Sequence, residues 1–174
     1  MRPLAVFALL AAPVAAQVPE TMDTAAIPNY RLVRPGLAAA GQPSPEALAR
    51  LKELGFKTVV NLRTEKEGAK EEEAAVAASG LRYVWVPVAP DTFSTAEVDA
   101  VAKVLEDPGA APVLLHCSSA NRVGGVWAVL QSRKGRTPEE AEADGRAAGL
   151  TSPAMVEAVR RVLASDGRPP DAAR

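Results

Sequence analysis

The sequence predicts a single α/β domain in which helices flank a central, mostly parallel sheet. Three observations predict this fold class. Apolar, strand-like segments recur at residues 57–62, 81–88 and 113–116, and segments with helical character alternate with them. Alternating strands and helices are typical of sheets whose strands run parallel. A chain of 174 residues can also bury one core without the help of disulfide bonds.

The first half of the domain begins with a short strand, which we expect at residues 30–33. A helix follows, because Ser44 is a favourable N-cap and Gly55 is a typical stop. The strand at 57–62 leads into a second helix, which we expect over residues 65–79. The acidic run at 71–73 is expected to form a solvated face of that helix.

The second half contains four expected helices and the third strong strand. Ser94 and Glu97 form a capping box that opens the first of these helices. A largely apolar helix is expected over residues 121–133, directly after the strand at 113–116. Two further helices should begin at Thr137 and Ser152, each of which is followed by proline.

The N-terminus reads as a secretory signal peptide. Arg2 gives a positive start, an apolar stretch follows, and small residues precede Gln17. We therefore expect an exported protein, located in the periplasm. The expected divisions are a signal peptide at 1–16, a tether at 17–29, a catalytic domain at 30–165 and a frayed tail at 166–174.

Composition excludes several classes of function. The net charge is −1 and no strongly basic stretch occurs, so the sequence predicts no nucleic-acid partner and no membrane partner after signal cleavage. The chain has one histidine and one cysteine. A metal cluster of these residues and an intramolecular disulfide are therefore ruled out, and no cofactor is implied.

The segment from His116 to Arg122 carries the strongest chemical signal. An apolar strand ends at His116 and Cys117, small or polar residues follow, and a helix begins near Asn121. An ordinary cysteine thiol has a pKa of about 8.5, which helix N-termini and nearby cations lower. A guanidinium and free backbone N–H groups also bind oxyanions. The pattern predicts a reactive thiolate beside an anion site.

This segment, with the glycines after Arg122, resembles the phosphate-binding loop of the cysteine-dependent protein tyrosine phosphatases. Segments 40–44, 55–63 and 86–88 resemble the small atypical dual-specificity branch, especially bacterial members related to the phosphatase-like domain of beta-lactamase hydrolase-like proteins. The similarity covers about residues 30–135. The resemblance implies a protein tyrosine phosphatase-like fold. It also implies hydrolysis of phosphate monoesters, with a phosphorylated protein or a small phosphate ester as the substrate.

The resemblance also implies roles for individual residues. Cys117 would be the nucleophile that forms a phosphocysteine, His116 would orient the loop and tune the thiolate, and Asp91 would be the general acid. Arg122 would hold the phosphoryl oxygens. The expected phosphate-binding residues are Ser118, Ser119, Ala120, Asn121 and Arg122.

The loop departs from the common phosphatase pattern, and other functions stay open. Four residues, instead of five, separate Cys117 from Arg122; Ala120 stands at the usual glycine, and Val123 replaces a hydroxyl residue. Rhodanese-type sulfurtransferases commonly have the four-residue spacing, so a Cys117 persulfide is an alternative. A non-catalytic, anion-binding module is another.

Overall fold

The computed structural model describes residues 18–166, and within them five strands form one sheet. The strands are β1 (Arg31–Arg34), β2 (Leu37–Ala40), β3 (Thr58–Asn61), β4 (Arg82–Trp85) and β5 (Val113–His116). Their order in the sheet is β1-β2-β5-β3-β4. β1 and β2 run antiparallel, and all other neighbouring pairs are parallel. The predicted fold class is confirmed.

Helices cover both faces of the sheet. They are α1 (Pro45–Arg50), α2 (Ala69–Ala78), α3 (Thr95–Glu106), α4 (Asn121–Arg133), α5 (Pro138–Ala147) and α6 (Pro153–Ser165), and a short 3-10 helix spans Glu65–Glu67. Leu48 of α1 and Val76 of α2 pack with Ile27 in one apolar cluster. Val98 of α3 and Val126 of α4 belong to a second cluster on the opposite face.

β2 has no counterpart among the predicted strands. Its sequence, Leu37–Ala40, contains three alanines, which have little intrinsic preference for strands. All four residues are nevertheless buried between β1 and β5. Burial and pairing with two neighbours decide this strand, and neither is visible in a local pattern.

The helix expected over 65–79 is interrupted. Thr64 and Glu67 form a capping box around the 3-10 helix, and α2 begins only at Ala69. The interruption turns the Glu67 side chain towards the end of β5, where it contacts Ser118.

The segment expected to be a tether packs against the domain. Val18 is 5 % exposed and Ile27 is fully buried. The Tyr30 hydroxyl donates a hydrogen bond to the Pro19 carbonyl over 2.6 Å. Residues 18–29 are therefore held against the same apolar cluster as α1, because their apolar side chains fill its surface.

Two other expectations fall wholly or mostly outside the described residues. The signal peptide at 1–16 lies outside them, as does the tail from residue 167. Asp166, assigned to the frayed tail, lies inside them and binds Arg133 over 2.9 Å. None of the described helices has the length and apolar character needed to span a bilayer.

Three strands bring their carboxyl ends to one level. Ala40 at the end of β2 and Asn61 at the end of β3 are both in register with His116 at the end of β5. In sheets of this kind ligands bind beyond the carboxyl ends of the strands. The loop between β5 and α4 lies at that edge.

Candidate active site

The loop at 117–122 comprises the connection between β5 and α4 and the first two residues of α4. Cys117 is fully buried, and its backbone N–H donates to the Ala40 carbonyl over 3.3 Å. Several other N–H groups of the loop have no protein acceptor among residues 18–166; they belong to Ser118, Ser119, Asn121 and Arg122. Free N–H donors at a helix N-terminus are suited to binding an anion.

Ala120 takes the left-handed backbone conformation, with φ of +69°. The phosphatases that this loop resembles have glycine at this position. An alanine is strained here because its Cβ disfavours a positive φ. Its side chain is fully buried against Gly149, between α5 and α6. A Cβ added at Gly149 would lie 2.6 Å from the Cβ of Ala120, so the two residues fit only because one of them is glycine.

Asn121 ties the loop to the start of α6. Its Oδ1 accepts the backbone N–H groups of Thr151 over 2.7 Å and Ser152 over 2.6 Å. Its Nδ2 donates to the Ser119 hydroxyl over 3.1 Å. The side chain of Asn121 is therefore occupied in holding the loop, and the group that it leaves free is its backbone N–H.

Arg122 is held by a carboxylate that the sequence patterns did not single out. Glu67 Oε2 accepts from Arg122 Nη1 over 2.8 Å, and Oε1 accepts from Nη2 over 2.6 Å. The Ser118 hydroxyl also donates to Glu67, over 2.6 Å. The hydrogen bonds from Arg122 hold the pKa of Glu67 well below its ordinary value. Partial burial opposes this shift, and hydrogen bonds from Ser118 and Thr64 add to it. Glu67 is therefore ionised and fixes the guanidinium beside the loop.

The guanidinium of Arg122 is also anchored by the main chain. Nη1 donates to the carbonyls of Leu62 and Val88, each over 3.3 Å. Burial alone would lower the pKa of Arg122, but Glu67 and the neighbouring Cys117 sulfur together raise it. The arginine thus keeps a full charge next to the thiol.

A cleft of about 410 Å³ opens over the loop. It is lined by Thr64, Glu67, Val88, Ala89, Pro90, Ser119, Asn121, Arg122, Ser152 and Met155. The charged members among these described residues are Glu67 and Arg122, which pair with each other. The lining therefore carries little net charge.

The predicted general acid, Asp91, is not among the residues that line this cleft, but it directly follows one of them. It is exposed in the turn that follows Pro90, and Pro90 itself lines the cleft. Arg161 of α6 donates to the Pro90 carbonyl over 2.7 Å and holds this turn in place. The structure brings the Asp91 backbone close to the site while its side chain faces solvent.

His116 is fully buried behind the loop, and its Nε2 lies 2.8 Å from Oε1 of Glu72. The expectation of a solvated acidic face at 71–73 is wrong for Glu72, whose side chain is 3 % exposed. Ala69, Glu72 and Val76 are the buried residues of α2. This helical spacing was a signal that could have placed Glu72 inside.

Metal binding finds no support in this arrangement. Within residues 18–166 no group of three or more histidine, cysteine, aspartate or glutamate side chains could hold a metal ion. The chemistry available to the site is that of the thiol, the guanidinium and the backbone donors.

Comparison with known proteins identifies a family that this chain matches. Residues 29–134 match the family described as beta-lactamase hydrolase-like protein, phosphatase-like domain. The chain belongs to this family. The resemblance inferred from the loop and the upstream segments is thereby confirmed.

Curated relatives carry the same description, and solved structures share the fold. The beta-lactamase hydrolase-like protein of Xylella fastidiosa is 31 % identical over 120 residues, which is 66 % of this chain and 28 % of that protein. The chain therefore spans about a quarter of the length of this relative. A putative phosphatase from Shewanella putrefaciens has a TM-score of 0.66 at 23 % identity, covering 83 % of this chain and 97 % of its own. P. aeruginosa TpbA in complex with pTyr has a TM-score of 0.63 at 22 % identity, with 87 % and 91 % covered.

Proposed function

We propose that this protein is a cysteine-dependent phosphatase that hydrolyses phosphate monoesters through a phosphocysteine intermediate. The observation that carries the proposal is the position of Cys117 at the start of a segment with four free N–H donors and beside a guanidinium that Glu67 holds. Such donors bind a phosphate dianion and stabilise the further charge of its transition state.

In the first step the Cys117 thiolate attacks phosphorus. An S–P bond forms while the P–O bond to the leaving group breaks, and the departing oxygen takes a proton from the Asp91 carboxyl group. The N–H groups of Ser118 and Ser119 and the Arg122 guanidinium hold the equatorial phosphoryl oxygens. The products of this step are the free alcohol or phenol and a phosphocysteine.

In the second step water attacks the phosphocysteine. The Asp91 carboxylate accepts a proton from the water, a P–O bond forms and the S–P bond breaks. Inorganic phosphate is released, Cys117 returns as the thiolate and Asp91 is again protonated. No redox change and no further reactant are needed.

The proposed substrates are esters with a single phosphate, such as phosphotyrosine, phosphoserine, phosphothreonine or a small phosphate ester. The TpbA structure holds phosphotyrosine, which supports this class. The low net charge of the cleft lining supports it too, because several phosphate groups would need more cationic partners.

An assay of residues 17–174 with p-nitrophenyl phosphate tests the proposal. We expect phosphate release that is lost in Cys117→Ser, and a phosphorylated Cys117 in acid-quenched wild-type protein by mass spectrometry. Thiosulfate with cyanide tests the sulfurtransferase alternative, which the four-residue loop favours. Thiocyanate formation without phosphate release would overturn the proposal. So would an absence of turnover combined with phosphate binding that Arg122→Ala removes.

We also propose that the protein is exported to the periplasm, which rests on the signal-like residues 1–16. Expression of the full chain in a bacterium, followed by cell fractionation and N-terminal sequencing, tests this. A periplasmic protein that begins at Gln17 is expected. An intact N-terminus in the cytoplasm would contradict the proposal.

A further inference from the structure

A buried polar cluster lies behind the loop and takes no part in the mechanism above. It consists of Gln42, Asn61, Arg63, Glu72 and His116, and is called the Glu72 cluster here. Glu72 is at its centre, since its carboxylate contacts the other four side chains. A buried carboxylate with this many partners needs a physical account.

The hydrogen bonds of the cluster fix which groups donate. Asn61 Oδ1 accepts the Arg63 backbone N–H over 2.8 Å, so the Asn61 Nδ2 points to Glu72 at 3.1 Å. Gln42 Oε1 accepts from Arg63 Nη1 over 2.6 Å, so the Gln42 Nε2 donates to Glu72 over 2.7 Å. Arg63 Nη1 is itself a donor to Glu72, at 3.2 Å. Three of the four partners are therefore donors, an arrangement that favours an ionised carboxylate.

The ionised carboxylate determines the state of His116. Burial alone would raise the pKa of Glu72, but the hydrogen bond and charge of His116, with Gln42 and Arg63, outweigh it and lower the pKa. Because Glu72 has no proton to give, the contact at 2.8 Å requires the proton to be on His116 Nε2.

The other titratable groups around Glu72 come from neighbouring elements. Arg63 follows β3, and Tyr83 lies on β4, where its hydroxyl accepts from Asn61 Nδ2 over 2.9 Å and donates to the Ala69 carbonyl over 2.6 Å. Glu73 of α2 acts electrostatically on Tyr83. The remaining titratable group that faces Glu72 is His116, which adjoins the loop.

The cluster reaches the loop at two points. His116 directly precedes Cys117, and its Nδ1 is buried without a hydrogen-bond partner among the described residues. The Gln42 backbone N–H donates to the Ser118 carbonyl over 3.2 Å, while its side chain holds Glu72. Glu72 is therefore connected to the residues on both sides of Cys117.

We propose that Glu72 is a positioning residue of the phosphatase site: its carboxylate accepts the Nε2 proton of His116, fixes the ring and places a negative charge behind the residue that precedes Cys117. The proposal rests on the proposed function for its role in turnover. An opposite charge this close favours a charged imidazole, and a cation beside a thiol favours the thiolate. Glu72 thereby increases the fraction of Cys117 that is ready to attack.

The variant Glu72→Gln removes the charge at constant size, and Glu71→Gln is the matched control, because Glu71 is the exposed neighbour on α2. Two readouts are compared across pH: kcat/KM for p-nitrophenyl phosphate and the ultraviolet absorbance of the thiolate. Cys117 is the only cysteine, so Cys117→Ser supplies the blank for the absorbance. Circular dichroism confirms that each variant is folded.

We expect Glu72→Gln to move the acidic limb of kcat/KM and the absorbance transition to higher pH by about one unit, a tenfold loss of thiolate at a fixed acidic pH. Glu71→Gln should leave both in place. An unchanged transition, or one at lower pH, would overturn the proposal. The absorbance needs no turnover, so a wild-type chain without phosphatase activity would end the proposed function and still test Glu72.

Two further variants keep the test decisive. In a His116→Gln background, Glu72→Gln should add no further shift, because Glu72 acts through the histidine. An additional shift in the double variant would contradict this route. If Glu72→Gln does not fold, Glu72→Asp takes its place. The shorter side chain keeps the charge but holds it farther from His116, so the variant should give a smaller shift in the same direction. A Glu72→Asp variant with the wild-type transition would count against the proposal.

Discussion

At the scale of single residues, the site contains a carboxylate whose partner is the Arg122 guanidinium. Glu67 uses both oxygens to hold Arg122, and its side chain is about one-third exposed at the rim of the cleft. A paired guanidinium has fewer rotamers to lose when an anion binds, so less of the binding energy is spent on ordering it. The same carboxylate reduces the positive charge that an arriving phosphate meets. The balance between these effects is open to measurement.

Glu67→Gln tests which effect dominates. We expect kcat/KM to fall about tenfold to a hundredfold, because a charge-assisted, two-point contact worth about 1.5–3 kcal/mol is weakened. Glu65→Gln is the control, since Glu65 lies on the same 3-10 helix and pairs with Lys70 at the surface. A rise in kcat/KM would mean that Glu67 acts mainly as a competitor of the substrate.

Asp91→Asn tests the proposed general acid. Turnover of substrates with poor leaving groups should fall at least about tenfold, since these depend on protonation of the departing oxygen. Substrates with activated leaving groups should be affected less. Comparison of kcat for an alkyl phosphate and for p-nitrophenyl phosphate gives the result. Equal rates for variant and wild type on the poor substrate would remove Asp91 from the mechanism.

At the scale of elements, the loop is shaped by the connection between α5 and α6 as much as by its own residues. Ala120 packs on Gly149, and Asn121 binds Thr151 and Ser152. α4 and α5 can come this close because a Cβ at Gly124 would lie 2.5 Å from the Gly145 carbonyl oxygen, where glycine leaves room. The four-residue loop is thus supported from outside.

The pair Ala120 and Gly149 gives a prediction at this scale. Gly149→Ala places a Cβ 2.6 Å from that of Ala120 at a φ of +119°, so we expect it to lower the free energy of unfolding by roughly 2–4 kcal/mol. Ala120→Gly removes the closest contact and relieves its own positive φ. The double variant should therefore be at least about 1 kcal/mol more stable than the sum of the single effects predicts. Urea unfolding of the four proteins measures this coupling, and simple additivity would contradict the packing described.

Elements with strong local signals were predicted closely. β5 and α4 have the predicted bounds at 113–116 and 121–133, and the capping box of Ser94 and Glu97 begins α3 as expected. β2 was not predicted, because its alanines become a strand only through pairing on both sides. The packing of residues 18–29 likewise depends on a surface formed by distant elements.

At the scale of the whole molecule, two carboxylates link stability to pH. The pKa values of Glu67 and Glu72 are both lowered in the folded protein, while a glutamate in an unfolded chain titrates near about 4.3. Their contribution to stability is therefore complete above that value and is lost as the pH falls through the lower folded values. The fold should weaken in acid.

Urea unfolding at about pH 7 and about pH 3 measures this dependence. We expect the free energy of unfolding to fall more for the wild-type protein than for Glu72→Gln when the pH is lowered from the first value to the second. Glu71→Gln should follow the wild type, because its carboxylate is exposed and the buried pair is intact. Equal losses in wild type and Glu72→Gln would show that Glu72 is not linked to folding.

The sequence by itself determined the α/β class, the strand that ends at His116, and the run of small and polar residues that leads from Cys117 into α4, because periodicity, capping and the order of residue types are local properties. Only the tertiary structure decided the partners of those residues. Glu67 lies 55 residues from Arg122, and Glu72 lies 44 residues from His116. Contacts over such separations arise from the packing of α2 against the sheet edge, and no local pattern contains them.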